Sequence, residues 1–223
     1  DKLRRDKQRL PSVLFNAMVH PLSPYQVRGM IWYQGEDNHS EGMRYAEKLK
    51  ALAYCWRKYF ESADLPVYVV LLPPFKYGRD NPEKLPRFWK AQMSFADSDK
   101  NAGYIVTTDC GNPKDIHPKN KLPLAERMAT LVLYKEYKKG DDSSLSPTYA
   151  SCSVKDSSVV VKFNHPNGLK TSDGKSVSYL ELAGEDGKFH PATGKIENDK
   201  LIVSSPAVKN PKQIRFAWHK LAE

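Results

Sequence analysis

Two spacings of apolar residues alternate along the first 140 positions. Residues 27–33, 66–72 ("PVYVVLL") and 103–109 ("GYIVTTD") are short apolar runs, which predict three buried strands. Between them the period lengthens. "SEGMRYAEKLKALAYCWRKYF" (40–60) sets Tyr45, Leu49, Leu52, Trp56 and Phe60 at three- and four-residue steps, one apolar face of a long helix. Ser40 or Asn38 is placed to cap it, and Glu41 suits the positive end of its dipole. A Pro-rich loop, "PPFKYGRDNPEKLP", leads into a second helix carrying Phe88, Met93 and Phe95. "KLPLAERMATLVLYKEY" supplies a third, with Leu124, Met128, Leu131 and Tyr134 inward.

Strand–helix repetition with continuous apolar strands implies crossover connections, a parallel sheet and helices on both faces. The predicted fold class is therefore α/β over residues 1–140. "KKGDDSSLSP" (138–147) reads as a polar linker. Over residues 147–223 the pattern changes to short strands: "ASCSV", "SVVVKF", "VSYLEL", "KLIVSS" and "QIRFAW". "KDS" (155–157) and "END" (197–199) provide turn chemistry between paired strands. This predicts a small C-terminal antiparallel β region.

Composition narrows the classes. A 40% apolar share with 11% aromatics supports a core, and no run approaches the ~20 apolar residues of a membrane span. The formal net charge is +9, but Lys and Arg are scattered beside acids. There is no zinc-finger spacing, RNP-like strand or sustained basic helix face, so dispersed surface charge is preferred to nucleic-acid binding. Cys55, Cys110 and Cys152 lack CxxC spacing and indicate neither a disulfide framework nor a thiolate metal site. The opening "DKLRRDKQRL" has no Met and no signal-like apolar stretch, so the chain is expected to begin after a removed segment.

Sites in parallel sheets lie beyond the carboxyl ends of the strands. Two segments fall there. "YQGEDN" (33–38) follows the first strand and holds Gln34 and Glu36. A side-chain amide at Gln34 suits an oxyanion donor, with Glu36 supporting it or the neighbouring backbone, whereas the plainer reading is a turn with acids at a helix start. "TTDCGNPKDIHPKNK" (107–121) follows the third strand and holds His117, with Asp115 two residues before it and Asp109 at the strand end. A loop histidine is often merely exposed; a nearby carboxylate and the sheet edge favour a general base. A metal reading of Glu36, Asp37, His39 and His117 lacks any recognised ligand spacing and is the weaker one. A serine nucleophile on its own strand–turn–helix is missing: there is no GxSxG, GDS or GQSN.

"PSVLFNAMVHPLSPYQVRGMIWYQGEDN" (11–38) resembles the sialate O-acetylesterase family, a branch of the SGNH hydrolases, in which "LYNGMIAPL" precedes a "GxxWYQGESN" strand end. "DIHPKNK" resembles that family's histidine loop, and "YLELAGEDGKFHPATGKIENDKLIVSS" its C-terminal β region. The resemblance runs from about Pro11 to Trp218. Asn16 matches the family's Asn, Ala17 replaces a glycine and Asp37 a serine. It implies that His117 is the catalytic histidine and Gln34 lies in the oxyanion block. The wider superfamily places its Asp three residues before the histidine, where this chain has Lys114, and Asp115 is the adjacent residue.

The resemblance further implies a carbohydrate O-acetylesterase, working by a Ser–His mechanism without a cofactor on acetylated sugars or glycans, commonly exported to the periplasm or outside the cell. The family's serine block precedes the matched segment, so the nucleophile is expected upstream. The alternative is a non-catalytic carbohydrate-binding protein of the same fold. The SGNH (flavodoxin-like) sheet has five parallel strands ordered 2-1-3-4-5, of which this chain would hold strands 3, 4 and 5. Its first strand would then lie at an open edge, to be covered by the enzyme's N-terminal portion or by self-association.

Overall fold

The computed structural model describes residues 10–23, 25–79 and 81–222; the basic opening stretch, residues 1–9, lies outside them. Three parallel strands, β1 (Met30–Trp32), β2 (Val67–Val70) and β3 (Ala102–Ile105), form one sheet in the order β1-β2-β3. Met30 pairs with Val67 and Val67 with Ala102, so all three strands emerge at the same edge. The crossovers are α1 (Arg44–Tyr59) and α2 (Lys84–Asp97), and α3 (Leu122–Tyr137) follows β3.

The alternation along β2 divides the core. Val67 and Val69 point to one face, where Leu49, Phe88 and Phe95 of α1 and α2 cover them. Tyr68 and Val70 point to the other, against Leu124 and Met128 of α3. Every residue of β2 is buried, which is why its sequence is continuously apolar rather than alternating.

β1 departs from the expectation of a buried run over 27–33. It is three residues long, Met30 is buried, Ile31 is 59% exposed and Val27 38%. Only β2 pairs with it among the described residues. An apolar strand without a neighbour keeps its second face in water. Residues 10–22 do not cover it. Their short helical turns, Phe15–Val19 and His20–Leu22, lean on the end of α1 through Phe15 and His20 against Tyr59, leaving Leu14, Met18 and Leu22 exposed.

The third strand also ends earlier than residues 103–109 suggest. Thr107 is fully buried and its hydroxyl donates to Leu71 O (2.6 Å). That side-chain bond replaces the ladder, and Thr108–Cys110 curls into a 3₁₀ turn. On the β2 side the buried Gln92 does similar service: its amide donates to Val70 O and accepts from Leu72 N, both at 3.3 Å. These polar plugs close the backbone accounting where the loops diverge.

The C-terminal region is a six-stranded antiparallel sheet ordered β4-β5-β8-β7-β6-β9. Its strands are β4 (Thr148–Lys155), β5 (Ser158–Asn164), β6 (Val177–Ala183), β7 (Phe189–Glu197), β8 (Lys200–Ser204) and β9 (Gln213–Phe216). Five were expected; β7 is the addition. The two expected turns are present, with Asp156 at φ +53° between β4 and β5, and Asn198 and Asp199 at φ +49° and +59° between β7 and β8. These left-handed conformations suit Asn and Asp. Among the described residues no helix is long and apolar enough to cross a membrane.

Candidate active site

The sheet's carboxyl edge is built from three loops, one after each parallel strand. The first is held by a chain of hydrogen bonds whose direction can be derived from its charged end. Lys48 Nζ donates to Glu41 Oε1 (2.7 Å), and so does Asn38 Nδ2 (2.8 Å). Hydrogen bonds from Lys48 and then Asn38 hold the Glu41 carboxyl below its ordinary range, so it acts only as an acceptor. Asn38 must therefore turn its Oδ1 the other way, where it accepts from Gln34 Nε2 (2.9 Å). Gln34 Oε1 then faces Tyr45, whose hydroxyl donates to it (2.7 Å) and itself accepts from Trp32 Nε1 (3.1 Å). Both ends of the Gln34 amide are fixed. Its second N–H has no partner among the described residues.

This network also corrects the expected helix start. Asn38 and Glu41 are engaged with Gln34 and Lys48, residues 36–38 form a 3₁₀ turn, and α1 begins only at Arg44 without a side-chain cap.

Gly35 is required by the same turn. Its φ is +138°, and a Cβ there would lie 2.4 Å from Phe88 Cζ. Gly35→Ala should therefore destabilise the chain by roughly 2–4 kcal/mol, from backbone strain and overpacking together. Denaturant unfolding measures it; a loss under about 0.5 kcal/mol would mean that the turn readjusts freely.

Glu36 supports backbone rather than the Gln34 amide: its Oε2 accepts from Gly35 N (3.1 Å). Its charge lies among three phenols. Tyr33 is pushed up to about 12 by burial and then by Glu36. Tyr45 and Tyr77 are raised by burial first, with Glu36 adding to it. All three stay protonated near neutrality; Tyr45 donates to Gln34, and Tyr33 accepts from Lys121 Nζ (3.3 Å). His39 Nδ1 donates to Glu36 O (2.7 Å), and its ring stacks on Tyr77 at 3.9 Å.

The loop after β3 holds His117. Its side chain is 90% exposed and its backbone N–H donates to Asp115 Oδ1 (2.9 Å). The ring nitrogen Nδ1 is 3.9 Å from the same oxygen, beyond hydrogen-bond reach. Asp115 thus closes an Asx-type turn and does not orient the imidazole in this structure. Asp109 is engaged elsewhere: Arg127 clasps it through two bonds (2.7 and 2.5 Å) and also donates to Val106 O (2.8 Å). Burial, then the Asp109 charge, pushes the Cys110 thiol up, which leaves it a poor nucleophile.

The structure therefore sets Gln34 with Glu36, and Asp115 with His117, on two loops of one edge. No hydrogen bond joins the two pairs. The loop after β2 lies between them, with Tyr77 on His39 and Lys76 N donating to Pro113 O (3.3 Å). Among the described residues no three His, Cys, Asp or Glu side chains gather closely enough to hold a metal ion; Glu36, Asp37, His39 and His117 are not such a group. Sequence reasoning missed Tyr45 as the holder of Gln34. It stood in the buried helical face, where an apolar role sufficed to explain it.

An α/β sheet with an amide donor and an open histidine loop on its carboxyl edge fits a hydrolase, and comparison with known proteins places it. Residues 6–133 match the family model described as carbohydrate esterase, sialic acid-specific acetylesterase, and the chain belongs to that family. It is 33% identical to a carbohydrate acetylesterase from Xanthomonas citri of known crystal structure, with a TM-score of 0.88 over 98% of this chain and 51% of that one. Rat sialate O-acetylesterase is 46% identical over 52 residues, and the human enzyme 44% over 50 residues. Those segments make up 23% and 22% of this chain and 10% of each relative. The chain thus spans about half the length of the Xanthomonas enzyme.

Proposed function

We propose that the chain is the histidine- and amide-bearing part of a carbohydrate O-acetylesterase of the sialate type. Its parallel sheet would be part of an SGNH sheet, and the serine nucleophile would come from upstream of these residues. The observation that carries this reading is the Gln34 amide, locked at both ends with one N–H unclaimed among the described residues, on the same edge as the open imidazole of His117.

In this scheme the serine Oγ attacks the acetyl carbonyl carbon and its proton passes to His117. Gln34 Nε2 donates to the oxyanion of the tetrahedral intermediate. The sugar hydroxyl leaves with the proton held by His117, giving an acetyl-enzyme. Water, deprotonated by the same histidine, releases acetate and restores the serine. The scheme uses no cofactor, and exported glycans as substrates set its work in the periplasm or outside the cell. The second reading, sugar binding without turnover on the same fold, predicts that no GQSN-like serine block precedes these residues, whereas the esterase reading predicts one.

Reconstitution separates the two. The chain alone should hydrolyse 4-nitrophenyl acetate no faster than its His117→Ala variant, because a lone imidazole gives only modest general-base help. Joined to the serine-bearing portion, it should release acetate from O-acetylated sugars. No acetate release by the joined protein would reject the esterase, and fluorophosphonate labelling of a serine in the chain alone would reject the upstream nucleophile.

The same scheme gives the exposed edge an occupant. The exposed Val27 and Ile31 at this edge would be covered by the N-terminal portion, or by a second copy in its absence. Sedimentation of the isolated chain should show self-association, with amides of residues 30–32 protected from exchange. A monomer whose amides there exchange freely would remove this role for the edge.

A further inference from the structure

The loop after β2 is tied to the C-terminal β region by two cations. Lys220, only 7% exposed, donates through Nζ to Gly78 O (3.2 Å) and through its backbone N–H to Pro82 O (2.9 Å). Arg215, on β9, bridges Glu181 of β6 (2.6 and 3.2 Å) to Glu83 (3.1 Å), the residue that opens α2. Its guanidinium lies over the Phe189 ring at 4.1 Å, which fixes its plane.

A buried ammonium is costly unless its protons find acceptors, and Gly78 O is one acceptor of the Lys220 ammonium, while the backbone bond to Pro82 O ties the same loop a second time. The loop in turn carries Tyr77, braced edge-on by Phe75 at 4.9 Å and stacked on His39 at 3.9 Å. His39 sits four residues after Gly35, and Lys76 reaches Pro113 beside the histidine loop.

We propose that Lys220 and Arg215 are positioning residues: through their ties to Gly78, Pro82 and Glu83, the β region holds the Tyr77–His39 pair as the sugar-facing wall of the site. Stacked on each other, the two half-buried rings each keep part of a polar-edged aromatic surface open, the chemistry that suits the apolar face and hydroxyls of a sugar ring. The β region thereby contributes to recognition without itself touching the reacting ester. The sugar-facing role rests on the esterase reading; the mechanical link does not.

Two measurements keep those parts distinguishable. In an NMR spectrum of the chain the Tyr77 ring, stacked at 3.9 Å, should shield the His39 ring protons. Lys220→Met, which keeps the aliphatic stem, and the double variant with Arg215→Met should lose that upfield shift, while Lys220→Arg retains it. Methyl signals of Leu182 and Val203, in the β core, confirm folding. Unchanged His39 signals in the folded double variant would overturn the link. In the reconstituted enzyme the same variants should raise KM for an O-acetylated sugar by about 2- to 30-fold, with a smaller change in kcat. A loss confined to kcat, or no change in KM, would overturn the wall. Absence of turnover in every protein would instead refute the esterase reading, with the NMR result still deciding the link.

Discussion

In the enzyme completed by its serine-bearing portion, His117→Ala should lower kcat by roughly 10⁴-fold or more, the loss expected when the base of an acyl-transfer site is removed. The site makes this a clean experiment. The imidazole is 90% exposed and only its backbone N–H is bonded, so truncation opens no cavity and should change stability by under about 0.5 kcal/mol. Single-turnover kinetics beside thermal unfolding would separate chemistry from folding. A fall in kcat of less than tenfold would remove His117 as the base. Asp115 can be tested in the same series. Asn at 115 keeps a side-chain oxygen for the 2.9 Å turn bond, so Asp115→Asn should cost less than about tenfold. A loss approaching that of His117→Ala would mean that the 3.9 Å gap closes in the complete site, making Asp115 the orienting acid.

Central elements of the fold were legible because burial on two faces leaves an unmistakable residue pattern. "PVYVVLL" could be little else than a covered strand, and Leu49, Phe88 and Met128 occupy the inward faces that their spacing requires. Edges were harder. The apolar run of β1 alone reads as a strand covered on both faces, yet Ile31 faces water, because hydrophobicity does not show whether a neighbour is present; the open edge expected from the resemblance is where β1 lies. β7 was overlooked because Pro191 and Gly194 interrupt its alternation. What makes it a strand is pairing on both sides, with β6 and β8, which is tertiary information. The helix cap failed for a related reason. Asn38 is a good capping residue in isolation, but Gln34 and Glu41 compete for its amide and win.

The same division holds in the site. The positions of Gln34 and His117 at one sheet edge could be read from strand ends and motif spacing. The groups that hold Gln34 could not, because the Tyr45 hydroxyl meets the amide only once α1 has been rotated to bury its ring against Phe88 at 4.3 Å. Nor could the engagement of Asp109 by Arg127, 18 residues away along the chain. Motifs locate candidate groups, whereas the bonds that orient them arise from packing between elements.

Gln34→Ala should lower kcat in the complete enzyme by about 10²–10³-fold with little change in KM, the signature of one donor that acts on the oxyanion and not on the bound ester. The size of the effect depends on preorganisation. An amide already held by Tyr45 at 2.7 Å and Asn38 at 2.9 Å need not reorganise when charge develops, so in the proposed site its second N–H, unclaimed among the described residues, would act at full strength. Tyr45→Phe tests that link. It removes the bond that fixes Oε1 while keeping the ring, and should cost about tenfold, the value of one partly buried hydrogen bond. Because Tyr45 acts through Gln34, the double variant should be no worse than Gln34→Ala alone. Additive losses would show that Tyr45 acts on the substrate independently. An unchanged kcat in Gln34→Ala would leave "YQGEDN" as a tight turn whose Gly35 and Glu36 shape the backbone, and would shift the search for the oxyanion donor to the serine-bearing portion.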